Sequence, residues 1–178
     1  MKNKSRFCAF LRGVNVNGTA MKMAEVCKVF SDAGMEEVSS VLATGNILFT
    51  SDRKVSDLKP MLEKAMSQHF NYEAFLFIKE RSEVLEIFEK VPFESSRENH
   101  IYVFVGTSSV ENTLMEEFIK SNPQDNEKAE ISGNTFYWQI PKGNTLDSAF
   151  GKILGRKSLK DQMTSRNINT LEKIVKKL

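Results

Sequence analysis

The sequence is poor in the side chains that build metal and redox centres, since its 178 residues include two cysteines and two histidines. Cys8 and Cys27 form neither a metal tetrad nor a redox pair of short spacing, so we interpret both as buried structural thiols. His69 falls on the apolar face of a predicted helix, and His100 opens a predicted strand. A multi-histidine metal site and a histidine-based triad are therefore not expected, and no cofactor is indicated.

A long hydrophobic run and a strong net charge are also missing. The apolar run near the start breaks at Arg12, which leaves no signal peptide and no membrane span, so a cytoplasmic protein is expected. The 25 Lys and Arg residues nearly balance 23 Asp and Glu residues, for a net charge of +2. Such a balance creates no field that attracts nucleic acid or a membrane surface, so any anion site must be local. Neither a monomer nor a homodimer is favoured.

What the sequence does contain is a repeated order of elements, βαββαβα, once in each half. Period-2 and period-3.6 patterns predict strands over residues 6–11, 38–43, 47–51 and 71–78 of the first half. The corresponding strands of the second half are predicted over residues 100–105, 127–131, 135–140 and 163–165. The expected fold is α+β, with two tandem ferredoxin-like units (βαββαβ plus a helix), each an antiparallel sheet with helices on one face. The units are predicted to span residues 1–93 and 99–178, with a polar linker over residues 94–99.

A Gly-Asn turn separates two predicted strands in each half, at Gly45-Asn46 and at Gly133-Asn134. The two turns are 134 − 46 = 88 residues apart. Both residue types tolerate positive φ, so a tight hairpin is expected at each turn. Because strand, helix and strand return to the same end of a sheet, the loop after Leu11 and the turn at Gly45 are expected to be neighbours.

Helix ends are predicted from capping residues. Thr19 precedes the first apolar helical repeat, and Gly34 follows it. Two capping boxes are expected at later helices, from Ser108 to Glu111 and from Asn169 to Glu172.

Four separated motifs resemble a bacterial family known as domain of unknown function 1697. They are Arg12-Gly13-Val14-Asn15-Val16-Asn17-Gly18, Lys22-Met23, Thr44-Gly45-Asn46 and Arg166-Asn167-Ile168-Asn169-Thr170. Members of that family similarly begin with Arg-Gly-(Ile/Val)-Asn-Val-Gly-Gly and end with Arg-Asn-Trp-Asn-Thr, whereas this chain has Asn17 in place of Gly and Ile168 in place of Trp. The resemblance covers essentially the whole chain. It implies the duplicated ferredoxin-like architecture and implies no activity.

The loop after the first strand is the segment most suggestive of a binding site. Arg12, Asn15, Asn17 and Lys22 lie between a strand and a helix N-terminus, and Asn46 is expected beside them. A helix start offers free N–H groups, and a guanidinium with an ammonium would hold a phosphate or carboxylate. The alternative is structural, with Asx turns and an internal ion pair. We hypothesise a site for a small anionic ligand, such as a nucleotide or a phosphorylated metabolite.

Arg166 and Asn167 bring a guanidinium and an amide to the start of the last helix, and we count them among the candidate ligand-binding residues. The alternative interpretation of this segment is an elaborate helix cap.

Two other functions stay open. Tyr102 and Phe104 share one strand face and Phe136 and Trp138 another, as in RNA-recognition motifs that stack bases, although such aromatics more often fill a core. Nucleic acid is thus the less favoured partner. Acidic pairs such as Glu36-Glu37 are interpreted as solvated surface. No activated nucleophile is indicated, so an enzyme is the less favoured class, and it would depend on fixed cations such as Arg12.

Overall fold

The computed structural model describes residues 3–15 and 20–178 of the chain. Within these residues the chain forms two sets of strands and helices in the same order. The first set is β1 (Ser5–Arg12), α1 (Met23–Asp32), β2 (Glu36–Ser40), β3 (Asn46–Ser51), α2 (Val55–Phe70), β4 (Phe75–Glu80) and α3 (Arg81–Glu89). The second set is β5 (Asn99–Gly106), α4 (Val110–Lys120), β6 (Lys128–Ser132), β7 (Thr135–Pro141), α5 (Ala149–Ile153), a 3-10 turn (Lys157–Leu159), β8 (Met163–Asn167) and α6 (Ile168–Val175).

Each set forms its own four-stranded sheet, in the order β2-β3-β1-β4 and β6-β7-β5-β8. All neighbouring strands in both sheets are antiparallel. The predicted fold class, a duplicated α+β unit with antiparallel sheets, is therefore confirmed. The compact units are Met1–Leu85 with Lys173–Leu178, called unit 1 below, and Glu86–Glu172, called unit 2.

The core of unit 1 lies between its sheet and the helices α1 and α2. Side chains alternate along a strand, so Phe7, Ala9 and Leu11 of β1 share one face and are at most 2% exposed. They pack with residues of β3 and of the apolar helix stripes, among them Ile47, Phe49, Val26, Phe30, Leu58, Leu62 and Met66.

The core of unit 2 contains a cluster of aromatic rings. Phe104 of β5 and Phe136 of β7 meet edge to face at a ring-centroid distance of 5.2 Å, and Phe150 of α5 meets Trp138 of β7 at 5.1 Å. Phe104, Phe136 and Trp138 are 3%, 1% and 1% exposed. The aromatic rows thus fill the core, and these three rings have no exposed face on which a base can stack.

The two Gly-Asn turns differ. Gly133 and Asn134 alone connect β6 to β7, and Gly133 has φ +60°, so the predicted tight hairpin is present there. In unit 1 the prediction was wrong, because β2 ends at Ser40 and residues 41–45 form a five-residue connection to β3. Asn46 belongs to β3 and bonds backward into that connection.

Several predicted helix ends were wrong. The α1 N-cap position is Lys22, and Thr19 lies outside the described residues. At α4 the N-cap is Ser109 with φ +66° and no side-chain cap bond, so the capping box from Ser108 does not form. The physical reason at both helices is that the preceding strand and loop decide where the first helical turn starts, which periodicity does not show.

The other capping box, predicted at Asn169, was also wrong. Helix α6 begins at Ile168, directly after β8, so the capping residue is Asn167, whose Oδ1 accepts a hydrogen bond of 2.9 Å from the Asn169 N–H. Strand β8, predicted over three residues, is present and runs two residues further.

His69 was placed wrongly on an apolar helix face. His69 lies in the last turn of α2 and is exposed, with its ring edge-on to Phe70. Leu146 lies before the short helix α5 and is 84% exposed.

Candidate functional site

The candidate site of unit 1 lies at the end of the sheet where β1 ends and β3 begins. We call residues 12–15, 20–22 and 41–46 the loop edge. In the antiparallel register Phe10 of β1 is opposite Asn46 of β3, and the Leu11 N–H donates to the Gly45 carbonyl at 2.8 Å. The segments predicted to be neighbours are therefore in contact.

Asn46 holds the connection 41–45 together. Its Nδ2 donates to the Val41 carbonyl and to the Thr44 hydroxyl, each at 2.9 Å, and its own carbonyl accepts from the Val41 N–H at 2.9 Å. Asn46 is 0% exposed. Its amide therefore shapes the loop edge from inside the protein rather than from the surface.

The connection exposes three residues that the sequence patterns did not indicate. Leu42, Ala43 and Thr44 are exposed, and Leu42 takes a left-handed φ of +61° although it is not glycine. The sequence patterns placed Leu42 in a strand, and no local signal marks its actual conformation. Leu42 lies between Val41 and Thr44, the two residues to which the Asn46 amide donates.

Gly45 lies against the end of β1. It has φ +77°, and a Cβ at this position would lie 3.0 Å from Leu11 Cβ and 3.0 Å from Val14 Cγ1. Such distances are shorter than ordinary carbon contacts. The connection and the loop after β1 are therefore packed to a fixed separation that needs glycine.

The loop after β1 is closed at its base. The Met21 N–H donates to the Val14 carbonyl at 3.2 Å, and both side chains are buried, at 7% and 5% exposure. Exposed Asn15 donates through Nδ2 to the Ala43 carbonyl at 3.2 Å, which ties this loop to the connection. Asn17, another predicted ligand residue, lies outside the described residues.

Two cations flank the base of this loop. Arg12 and Lys22 each lie within two residues of the Val14 to Met21 hydrogen bond. Arg12 is half-buried, and burial lowers the pKa of its guanidinium, because a charge removed from water loses hydration. Lys22 is exposed at the N-cap position of α1. The loop edge thus combines a partly desolvated guanidinium, an ammonium and a helix start.

The same edge of unit 2 is simpler. Residues 107–109 connect β5 to α4, whereas residues 13–22 connect β1 to α1. Likewise β6 and β7 are joined by two residues, and β2 and β3 by five. Both connections at this end of the sheet are therefore longer in unit 1. Unit 2 forms the same arrangement of strands and helices without the additional residues.

Arg166 and Asn167 belong to the β8 strand of unit 2. Arg166 is 8% exposed, and its Nη1 donates to the Thr164 hydroxyl at 2.9 Å and the Ser165 carbonyl at 2.8 Å. Asn167 is half-buried, and its Nδ2 lies 3.1 Å from Nδ1 of His100. Since the Asn167 oxygen accepts from Asn169, its nitrogen is the donor toward His100. Both side chains make bonds within their own sheet.

Neither cysteine forms a disulfide bond. Cys8 is buried, and Cys27 is half-buried, where burial raises the pKa of its thiol against an opposing hydrogen bond from Ser40. A protonated thiol is a poor nucleophile and a poor metal ligand.

Among residues 3–15 and 20–178 no cluster of three or more His, Cys, Asp or Glu side chains has a metal-binding arrangement. In that same part of the chain no helix has the length and apolar character needed to cross a membrane.

Comparison with known proteins gives a family and a fold. The family described as "Protein of unknown function (DUF1697)" matches residues 4–137. No curated relative matches the chain. Among solved structures, the conserved bacterial protein SP0830 from Streptococcus pneumoniae is 21% identical, with 99% of each chain covered and a TM-score of 0.79. An unknown protein from Galdieria sulphuraria is 10% identical over 93% of this chain and 98% of its own, with a TM-score of 0.26.

Proposed function

The chain belongs to the DUF1697 family of proteins of unknown function, and we propose that it is a cytoplasmic protein that binds a small anionic ligand at the loop edge of unit 1. The ligand class is a nucleotide or a phosphorylated metabolite. The observation that carries the proposal is the length of the two connections at this edge in unit 1 compared with unit 2. Because unit 2 connects the same elements with fewer residues, the additional residues of unit 1 are available for binding a ligand.

The chemistry of the loop edge fits an anion. Arg12 carries a planar guanidinium that can bind two oxygens of one phosphate or carboxylate, and such charge-assisted hydrogen bonds are the strong ones. Its partial burial matters, because a desolvated cation interacts with an anion more strongly than a cation in water. Exposed Lys22 and Asn15 add a second charge and an amide to the same loop edge.

We assign Asn46 and Gly45 a positioning role at this site. Asn46 is buried and fixes the connection, and Gly45 sets its distance from Val14. A loop edge held in this way loses little conformational entropy when a ligand binds. Arg166 and Asn167 of unit 2 stay predicted ligand residues.

The test is thermal unfolding of wild type and of Arg12→Ala, each with and without a panel of nucleotides and sugar phosphates. A ligand that binds only the folded protein raises Tm, so the wild type should be stabilised by at least one class of the panel. We expect Arg12→Ala to weaken that binding by about 1.5 to 3 kcal/mol, measured as a smaller ligand-dependent rise in Tm than in the wild type. Arg53→Ala is the matched control, since it removes the same charge from an exposed site after the far end of β3.

A different result would contradict the proposal. If Arg12 serves only the fold, its removal strands a buried partner and costs about 3 to 5 kcal/mol of stability, with no ligand effect in the wild type. Measuring binding affinity at several salt concentrations distinguishes the small-anion proposal from the nucleic-acid alternative. A nucleic-acid strand bound through several phosphates loses affinity steeply with salt, whereas one small anion loses far less.

A further inference from the structure

Strand β4 is the outer strand of the unit 1 sheet, and it pairs with β1 on one side. In an antiparallel sheet, alternate residues of an outer strand direct their N–H and C=O groups away from the sheet. Those groups are a template for pairing with another strand, and proteins usually protect them.

In this chain one stripe of helix α2 bonds to that outer edge. The Leu76 N–H donates to Glu63 Oε1 at 3.1 Å, and Lys59 Nζ donates to the Leu76 carbonyl at 2.7 Å. One turn further along the helix, Ser67 Oγ accepts from the Ala74 N–H at 3.0 Å. The three side chains are four residues apart, so they share one face of α2.

The far end of β4 is protected by α3. The Glu80 N–H donates to Glu83 Oε2 at 2.8 Å. Ala74, Leu76 and Glu80 are separated by even numbers of residues, so their N–H groups belong to the same edge of the strand. Side chains of two helices thus replace the hydrogen bonds that a fifth strand would make.

The Lys59 and Glu63 pair is unlike an ordinary surface ion pair. Its side chains are 32% and 22% exposed, whereas those of Lys28 and Asp32, an equally spaced pair on α1, are 68% and 64% exposed. Lys59 Nζ also lies 4.6 Å from the centre of the Phe77 ring. The pair is therefore held by the backbone and a ring of β4.

The strand behind this pair is a hazard if it is uncovered. Its first four residues, 75–78, are Phe-Leu-Phe-Ile, with high β propensity and no charge. Such segments on an open edge pair with identical segments of other copies.

We propose that Lys59, Glu63 and Ser67 of α2 occupy the place of a fifth strand and so prevent β4 of one copy from pairing with β4 of a second copy. This role is independent of ligand binding at the loop edge. The partner is a second copy of the chain, because two identical β4 strands can pair antiparallel about a two-fold axis.

The test compares two double variants by size-exclusion chromatography with light scattering over a wide range of concentration. Lys59→Met with Glu63→Leu leaves the Leu76 groups without these partners, and we expect dimers or larger species that increase with concentration. Lys28→Met with Asp32→Leu is the matched control, because it makes the same changes at the same spacing in a pair on α1 whose side chains are 68% and 64% exposed. We expect the control to keep the wild-type size. Equal association of both variants, or of neither, overturns the proposal.

A second measurement covers the case in which the double variant does not fold. In Glu63→Leu, the Leu76 amide should exchange with solvent about tenfold faster than in the wild type at low concentration, because one hydrogen bond is lost. At high concentration its protection should return as copies pair. Glu63→Gln keeps an acceptor oxygen and should preserve the wild-type rate. Unchanged exchange in Glu63→Leu, or no return of protection, overturns the proposal.

Discussion

Replacing Gly45 by alanine tests the packing of the loop edge directly. The substitution adds one Cβ, which would lie 3.0 Å from Leu11 Cβ and 3.0 and 3.1 Å from the two Val14 methyl carbons. Leu11 Cβ is attached to the backbone of β1 and is not able to swing away. Val14 is buried, so its methyl groups have little room to move.

The magnitude has two parts. Alanine at φ +77° costs about 1 to 2 kcal/mol because a left-handed conformation strains any residue with a Cβ. Overpacking against Leu11 and Val14 adds about 1 to 3 kcal/mol. Alanine also restricts the unfolded chain, which offsets about 0.4 to 1 kcal/mol of the loss. We expect Gly45→Ala to lower the free energy of unfolding by about 2 to 4 kcal/mol.

Gly13→Ala is the matched control. Gly13 has the same φ of +77° in the same unit, but nothing lies within 4 Å of the Cβ position. Its substitution carries the conformational and unfolded-state effects without the contact, so the difference between the variants isolates the packing. Urea unfolding followed by circular dichroism measures both. If Gly45→Ala costs no more than Gly13→Ala, the connection does not pack against β1 as described.

Two further predictions concern unit 2. Burial raises the pKa of Tyr137 to about 12, and its hydroxyl donates to the buried Ile87 carbonyl at 2.6 Å. Because the folded pKa exceeds the ordinary value of about 10, the stabilisation is present below pH about 10 and is lost as the pH rises to about 12. Tyr137→Phe should therefore weaken the fall in stability over that range, and an unchanged pH profile would contradict the assignment. Asn167→Ala should lower stability by about 1 kcal/mol as a lost N-cap. Asn169→Ala should cost much less in the same thermal unfolding experiment, and the reverse order would restore Asn169 as the cap.

The two Gly-Asn turns show how far local patterns reach. At Gly133-Asn134 the turn residues and the flanking strands agree, and the predicted hairpin is present. At Gly45 the same residue pair lies in a longer connection, because Asn46 bonds back to Val41 and the Gly45 carbonyl accepts from Leu11, a residue far earlier in the chain. The difference comes from a contact between strands that no short segment encodes.

The sequence predicted which segments form the candidate site, but not the role of each residue in it. The adjacency of the loop after β1 and the connection before β3 follows from strand order, and the hydrogen bond from Asn15 to Ala43 agrees with it. Strand order did not predict which residues of the site are buried and which are exposed. Asn46 is buried and shapes the connection, while exposed Leu42 lies at its surface.

By itself the sequence determined the repeated order of strands and helices and the faces that each buries, because the periods of 2 and 3.6 residues are local properties of the chain. Only the tertiary structure decided which polar side chains form hydrogen bonds within the fold. Glu63 and Lys59 are four residues apart on one helix, yet both bond to Leu76, 13 and 17 residues away. A hydrogen bond depends on where two groups meet in space, and distant residues meet only after the sheet and its helices have packed.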